Sequence, residues 1–224
     1  MNPYYKDEWV TIYHGDCREI VPTLPKVDLV LTDPPYGINI ASRGTIGSQP
    51  RECHKRNGVA ARNTEFKKSH WDISTPDDST FKMIMDHSKY QIIWGGNYFN
   101  LKPSMGWIVW DKVNEGTDFA DCELAWTNMH KAIRIKRHRW NGMLQQDMKN
   151  KELRQHPTQK PVSLMTFCVN YSTESRTILD PFMGSGSTLR AGKNLNKIVT
   201  GIEREEEYCG IAAKRMSQEV FDLR

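Results

Sequence analysis

Two short runs of the sequence set an acid at the end of an apolar stretch. In Leu29-Val30-Leu31-Thr32-Asp33-Pro34-Pro35-Tyr36-Gly37 the apolar residues stop at an acid, two prolines and an aromatic. Proline has no N–H and a fixed φ, so it leaves the preceding carbonyls as rigid acceptors. A carboxylate beside such a carbonyl offers two acceptors to a planar NH₂ group, and the Tyr36 ring offers a face for stacking. The run reads as a pocket for an exocyclic amine; the plainer alternative is a strand ending in a tight proline turn. The second run is Ile178-Leu179-Asp180-Pro181-Phe182-Met183-Gly184-Ser185-Gly186-Ser187-Thr188, where Gly184 and Gly186 let a ligand come close to the backbone. It is not a phosphate loop, because no lysine follows Gly186, and position 189 is Leu where the dinucleotide fingerprint needs Gly or Ala. Asp180 suits a cationic ligand group better than a pyrophosphate. About 20 residues on, Glu203 closes a further apolar run, at the spacing of an acid that holds a ribose.

These acids need strands behind them. Short runs rich in β-branched and aromatic residues predict strands at 10–13, 27–32, 91–94, 107–110, 123–127, 131–135, 177–179 and 198–202. Helical spacing predicts helices at 81–87, 162–171, 188–195 and 206–220; Leu164, Phe167, Cys168 and Tyr171 fall at i, i+3, i+4 and i+7. Pro161 fits the first turn of its helix. Strands interleaved with helices indicate an α/β fold, a mostly parallel sheet with helices on both faces. Ligands then bind at the carboxyl ends of the strands, where Asp33, Asp180 and Glu203 fall. Trp94-Gly95-Gly96-Asn97-Tyr98 and Trp110-Asp111 also end apolar strands and are candidates for the walls of a target pocket. Glu123 and Trp126 are assigned to core or rim. Apolar periodicity is lost over 37–76, too long for an ordinary connection, and again in the polar part of 128–155. Both read as insertions on one rim of a single domain covering 1–224.

The composition agrees with one globular domain. A chain of 224 residues, 38% apolar and 26% charged, can bury roughly 70–75% of its unfolded surface. No apolar run approaches the roughly 18–20 residues of a membrane span, and the N-terminus lacks a basic region followed by an apolar one, so the expectation is a cytoplasmic protein. Cys17, Cys53, Cys122, Cys168 and Cys209 form no C-x-x-C pair, which favours reduced thiols; Cys53-His54 with His70 lacks a second paired ligand, so no metal is expected. The net charge of +4 is unevenly spread. Residues 43–70 hold seven Lys/Arg against Glu52 and Glu65, and residues 131–154 hold eight against Asp147 and Glu152. Two basic segments on an acidic body suit a polyanion, though a run of surface lysines is often only a solvated face.

With these residues in place the chain resembles the S-adenosylmethionine-dependent amino-methyltransferases of DNA. DPPY at Asp33–Tyr36 is similar to the family's catalytic motif and DPFMGSGST at Asp180–Thr188 to its cofactor loop; HPTQKPVSLM at His156–Met165 and YHGDC at Tyr13–Cys17 extend the likeness over most of the chain outside the basic windows. The order, catalytic motif first, is similar to the permuted β-group. The resemblance implies S-adenosylmethionine as cofactor, with Asp180, Phe182, Gly184, Ser185 and Gly186 in the loop at its methionine end. It places Glu203 on the ribose hydroxyls, Asp16 and Cys17 at the adenine, and Thr158 and Lys160 closed over the methionine part. Asp16 as a strand-end turn residue and Lys160 as a solvated helix-start residue are the plainer alternatives.

It further implies a catalytic Asp33-Pro34-Pro35-Tyr36 acting on a base swung out of double-stranded DNA, with Tyr36 stacking on it. Hydrogen bonds from the amine to Asp33 and the Pro34 carbonyl would free the nitrogen lone pair for direct attack on the sulfonium methyl, with position and negative partial charge supplied by the enzyme. Ring-carbon methylation would need a Pro-Cys nucleophile, and no cysteine here follows a proline. Asp before Pro-Pro-Tyr favours adenine N6 within the family, with cytosine N4 the nearest alternative. RNA as substrate and a non-catalytic nucleic-acid binder of the same fold stay open. Arg43, Arg51, Lys55 and Arg56, with Arg134, Lys136, Arg137 and Arg139, are the candidates for phosphate contacts. Trp140 and Asn141 are candidates for base reading, although a tryptophan more often packs. Residues 128–155 are the candidate target-recognition segment, and its small size points to a short site, loose specificity or a homodimer.

Overall fold

A computed structural model describes residues 2–39, 72–115, 120–141 and 144–218. In chain order the elements are β1 (Tyr5–Lys6), β2 (Val10–His14), α1 (Cys17–Ile20), β3 (Val27–Thr32), α2 (Asp78–Asp86), β4 (Ser88–Trp94), β5 (Gly106–Asp111), β6 (Cys122–Thr127) and β7 (Arg134–Arg137). They continue with β8 (Trp140–Asn141), β9 (Leu144–Gln145), α3 (Val162–Tyr171), β10 (Thr177–Asp180), α4 (Ser187–Asn194), β11 (Ile198–Glu203) and α5 (Glu206–Ser217). The main sheet runs β1-β2-β11-β10-β3-β4-β6-β5-β7, and β8 and β9 form a separate hairpin. From β2 through β4 all neighbours are parallel; β1 and β6 run against their neighbours.

The central strands are apolar on both faces because helices cover both. Leu29 and Leu31 of β3 join Ile178 of β10 and Ile92 of β4 in the core shared with α3, α4 and α5. Val30, Leu179 and Ile202 point the other way, onto Cys17 and Ile20 of α1 and Ile84 of α2. Each such fully buried side chain contributes roughly 1.5–3 kcal/mol of apolar burial. The expected α/β architecture therefore holds. No described helix is long and apolar enough to cross a membrane.

The expected strand at 131–135 forms at Arg134–Arg137 instead, because β7 pairs in parallel with β5 at Ile108↔Arg134 through Asp111↔Arg137. The strand-like start of the 128–155 segment thus forms the sheet's outermost strand. The two-residue β1 and the four-residue α1 are too short for a periodic signal; Asp16 caps α1 by accepting from the Arg18 N–H.

The register places the site. Thr32 is level with Ile93, Trp94 with Ala125, and Ala125 with Ile108, so β5 and β7 overrun the carboxyl rim of β3 and β4. Because β6 runs backwards, its first residues reach that same rim.

Candidate active site

The crossover through α2 carries the chain from β3 to β4 on one side, and the crossover through α4 carries it from β10 to β11 on the other. The crevice beyond the carboxyl ends of β3 and β10 is therefore the topological switch point, where α/β sheets bind ligands. A cleft of about 820 Å³ opens there, within the roughly 300–1,000 Å³ of small-molecule sites. Two of the acids picked out from sequence end strands on either side of it: Asp33 follows β3, and Asp180 ends β10.

The glycine loop is built from the backbone. The Met183 N–H donates to the Ile202 carbonyl at 3.0 Å and the Gly186 N–H to the Met183 carbonyl at 2.9 Å. Gly184 and Gly186 have φ of +50° and +81°, a left-handed backbone that costs side-chain-bearing residues energy. Glu203 ties the loop to β11: its carboxylate accepts from the Gly184 N–H at 2.9 Å and the Glu205 N–H at 2.8 Å. Burial raises the Glu203 carboxyl above its ordinary value. Asp180 is deeper, accepting from the Thr32 hydroxyl at 2.8 Å and the Phe182 N–H at 3.2 Å, and burial pushes it up to about 7. Its position joins β10 to β3 as much as it faces the cleft.

Of the expected cofactor residues, Asp16, Cys17, Thr158, Lys160, Asp180, Phe182, Gly184, Ser185 and Glu203 all line the cleft. Gly186 stands behind it, capping α4 and packed on Ala212. The Asp16 carboxylate is held by the Arg18 guanidinium at 2.6 Å, and burial pushes the Cys17 thiol up to about 11, so it stays neutral. Sequence reasoning missed part of the wall: Thr75, Pro76 and Asp77 at the start of α2, and His156 and Gln159 before α3. Burial, with Arg154 and Lys160 nearby, lowers the His156 imidazole to about 3. Glu152 anchors this last segment, accepting from the Val162 N–H at 3.0 Å and the Gln159 amide at 3.0 Å and pairing with Arg215 of α5.

Asp33 lies at the cleft's other end with both oxygens engaged. Tyr36 donates its hydroxyl to Oδ1 at 2.5 Å, and the Lys160 ammonium donates to Oδ2 at 2.7 Å. Lys160 is 5% exposed, lies 3.0 Å from Glu123 Oε2, and also reaches the Tyr36 hydroxyl at 3.2 Å. Lys160, expected to close over a cofactor's methionine part, lines the cleft and joins the two carboxylates through its ammonium. Glu123, assigned to core or rim, belongs to this corner and pairs on its other side with Lys112. Burial alone would raise Glu123, but Lys160 and Lys112 hold it down to about 2. Burial would lower Lys160, and the two carboxylates hold it above its ordinary value. For Asp33 burial dominates and raises the carboxyl, with Lys160 opposing and Glu123 adding to the rise.

Asp33 and Pro35 line the cleft, while Pro34 is buried and the Tyr36 ring stacks on Tyr98 at 4.8 Å and 12°. Tyr98 is one of the residues picked out as pocket wall. Trp140 is 8% exposed and sits in the main core, which corrects its candidacy as a base reader. Arg134 and Arg139 are exposed, Arg137 pairs with Asp111 at 2.8 Å, and Lys136 lies 5.9 Å from the Phe167 ring centre. Arg43, Arg51, Lys55 and Arg56, like the Cys53-His54-His70 set, lie outside the described residues.

The chain is similar to known proteins. Residues 129–214, from the end of β6 into α5, match a family described as DNA methylase. The Type II methyltransferase M2.LlaDCHI of Lactococcus lactis subsp. cremoris is 24% identical, covering 96% of this chain and 92% of its own. M2.DpnII of Streptococcus pneumoniae is 25% identical, covering 97% and 93%. Among solved structures, the M1.HpyAVI–SAM complex superposes with a TM-score of 0.55 at 21% identity, covering 93% of this chain and all of that one. The cytosine-N4-specific PvuII DNA methyltransferase superposes with 0.56 at 13% identity, covering 98% and 90%. These two likenesses show a shared fold. A match to the DNA methylase family over residues 129–214, which hold the glycine loop, joined to Type II methyltransferases that align along nearly all of the chain at 24–25% identity, makes the chain similar to the S-adenosylmethionine-dependent DNA amino-methyltransferases.

Proposed function

We propose that the chain methylates the exocyclic N6 of adenine in double-stranded DNA, on a base swung out of the helix into the cleft. The observation that carries this reading is Asp33, a half-buried acid at the carboxyl end of β3, lining the same cleft as the glycine loop that follows β10. The fold alone does not choose the base, since a cytosine-N4-specific enzyme shares it. The choice of adenine rests on Asp, rather than Ser, before Pro-Pro-Tyr.

The cleft suits the cofactor. Gly184 leaves its wall free of a Cβ, while Glu203 and Asp16 present carboxylates to a ligand rich in hydroxyl and amino groups. Bound there, S-adenosylmethionine supplies an electrophilic methyl on a positive sulfur. Glu203 would hold its ribose, Asp16 and Cys17 its adenine, and Phe182, Ser185 and Thr158 its methionine end. At the other end of the cleft Asp33 accepts a hydrogen bond from the target amine and the Pro34 carbonyl accepts the second. Drawing both N–H bonds towards acceptors concentrates the lone pair on nitrogen. Asp33 is the carboxylate placed to stabilise the positive charge that nitrogen gains. Unstacking the base costs a few kcal/mol, which Tyr36 offsets by stacking.

The test is transfer of labelled methyl from S-adenosylmethionine to unmethylated DNA, followed by nucleoside analysis. Label on methyladenine is the expected result; methylcytosine alone would overturn the adenine assignment, and label on RNA in preference to DNA the substrate. Asp33→Ala should lower turnover by about 100-fold or more while cofactor binding persists, and unchanged turnover would reject the mechanism.

A further inference from the structure

We propose that Glu123 is a positioning residue for methyl transfer: by sharing the Lys160 ammonium with Asp33, it keeps that ammonium from neutralising Asp33 alone at the corner that receives the target amine. The inference rests on the reading of Asp33 as the acceptor for that amine.

Lys160 donates hydrogen bonds to Asp33 at 2.7 Å and to the Tyr36 hydroxyl at 3.2 Å, and forms an ion pair with Glu123 Oε2 at 3.0 Å. A buried lysine paired with Asp33 alone would neutralise it and would oppose a neighbouring nitrogen as that nitrogen turns positive. With Glu123 on the same ammonium, the charge of Lys160 is divided between two carboxylates, so Asp33 keeps part of its negative charge although the series closed by Lys112 is neutral as a whole. Lys112 balances Glu123 from the side away from Asp33, on the other Glu123 oxygen and 4.8 Å from the Trp110 ring centre. The alternating series Asp33, Lys160, Glu123, Lys112 thus runs from the cleft into the antiparallel part of the sheet. Its placement depends on topology: β6 runs backwards, so Glu123 at its start is level with Trp110, two residues beyond the position of Trp94.

Other titratable groups surround the corner. Asp180 comes from β10 and acts on Asp33, Tyr98 acts on Tyr36, Arg154 acts on Glu123, and His156 and Cys168 lie within reach of Lys160's charge. Among these, Glu123 is the group that both touches Lys160 and carries a charge opposite to it without lining the cleft.

The experiment measures single-turnover methyl transfer against pH for the wild type, Glu123→Gln and Glu123→Asp, with cofactor and DNA affinities in parallel. Glu123→Gln should slow transfer by about tenfold with both affinities nearly unchanged. It should also move the acid limb of the rate profile down by about one pH unit, because Asp33 loses a neighbouring negative charge that raised its pKa. Glu123→Asp should restore the limb. An unmoved rate and limb in Glu123→Gln would overturn the proposal, as would a loss confined to cofactor affinity. Should Glu123→Gln not fold, Lys112→Met reads the same coupling from the other end: Glu123, freed of its outer cation, raises the limb, and an unmoved limb overturns the proposal. A wild type that transfers no methyl to DNA would remove the reading of Asp33 beneath it, which is a different result from an active wild type matched by an equally active variant.

Discussion

Gly95 has a φ of +69°, and a Cβ built on it would lie 2.2 Å from Cε1 of the Tyr36 ring. That ring, stacked on Tyr98, carries the hydroxyl that donates to Asp33. An alanine there would have to adopt a strained backbone and push Tyr36 away, so Gly95→Ala should destabilise the protein by about 1–3 kcal/mol. It should also reduce methyl transfer more than it reduces stability, measured by urea unfolding beside the transfer assay; full activity would show that the Tyr36–Asp33 contact is dispensable. Asp33, Tyr36, Asp180 and the glycines were legible in sequence because each motif is contiguous and sits where an apolar strand stops. Glu123 was not, because Cys122–Thr127 reads as a strand whatever its direction, and only its antiparallel pairing with β4 and β5 carries its first residues to the cleft's rim. Lys160 was legible from its motif, which fixes its neighbours in sequence, but its contact with Asp33, which spans 127 positions, was not.

Parallel strands need clamps at both ends, and β3 and β10 share one on each rim. At the functional rim Thr32 donates to Asp180 at 2.8 Å. At the opposite rim the Asp28 carboxylate accepts from the N–H groups of Arg176 and Thr177 at 2.8 and 2.9 Å, while the Asp28 N–H donates to the Thr177 hydroxyl at 2.8 Å. The Thr177 N–H is the chief cause of an Asp28 carboxyl held below its ordinary value, with Arg176 N–H next. A lowered folded-state pKa adds stability that is present above the unfolded value and is lost as pH falls through the folded one. Asp28→Asn should therefore lower the urea midpoint at pH 7, with the gap to wild type closing below about pH 4. A constant gap across that range would mean that the charge on Asp28 does not matter. The strands of this pair were readable from their β-branched runs, but their adjacency was not: 149 positions separate Asp28 from Thr177.

At the scale of the whole molecule, the sheet sets how far basic side chains stand from the cleft. β7 lies four strand spacings from β3, about 19 Å, and rises about 10 Å from Arg134 to Arg137. Because Arg134 pairs with Ile108, and Ile108 with Ala125 opposite Trp94, it sits level with the floor of the cleft, while Arg137 and Arg139 continue past the rim. Arg137 spends its charge on Asp111 and Lys136 lies against Phe167, which leaves Arg139, among the described basic residues at this edge of the sheet, as the exposed cation placed to meet a phosphate of a duplex lying across that rim. Each neutralised phosphate steepens the fall of log affinity with log salt by roughly 0.9 for duplex DNA. Arg139→Gln should therefore weaken DNA binding at low salt and flatten that slope by about one, with turnover at saturating DNA unchanged, whereas Arg134→Gln should leave the slope as it was. The slope, unlike affinity alone, counts ionic contacts and is insensitive to a modest loss of fold stability. If instead Arg134→Gln flattens the slope and Arg139→Gln does not, the duplex lies along the outer face of β7, and the base must travel the width of four strands to reach Asp33.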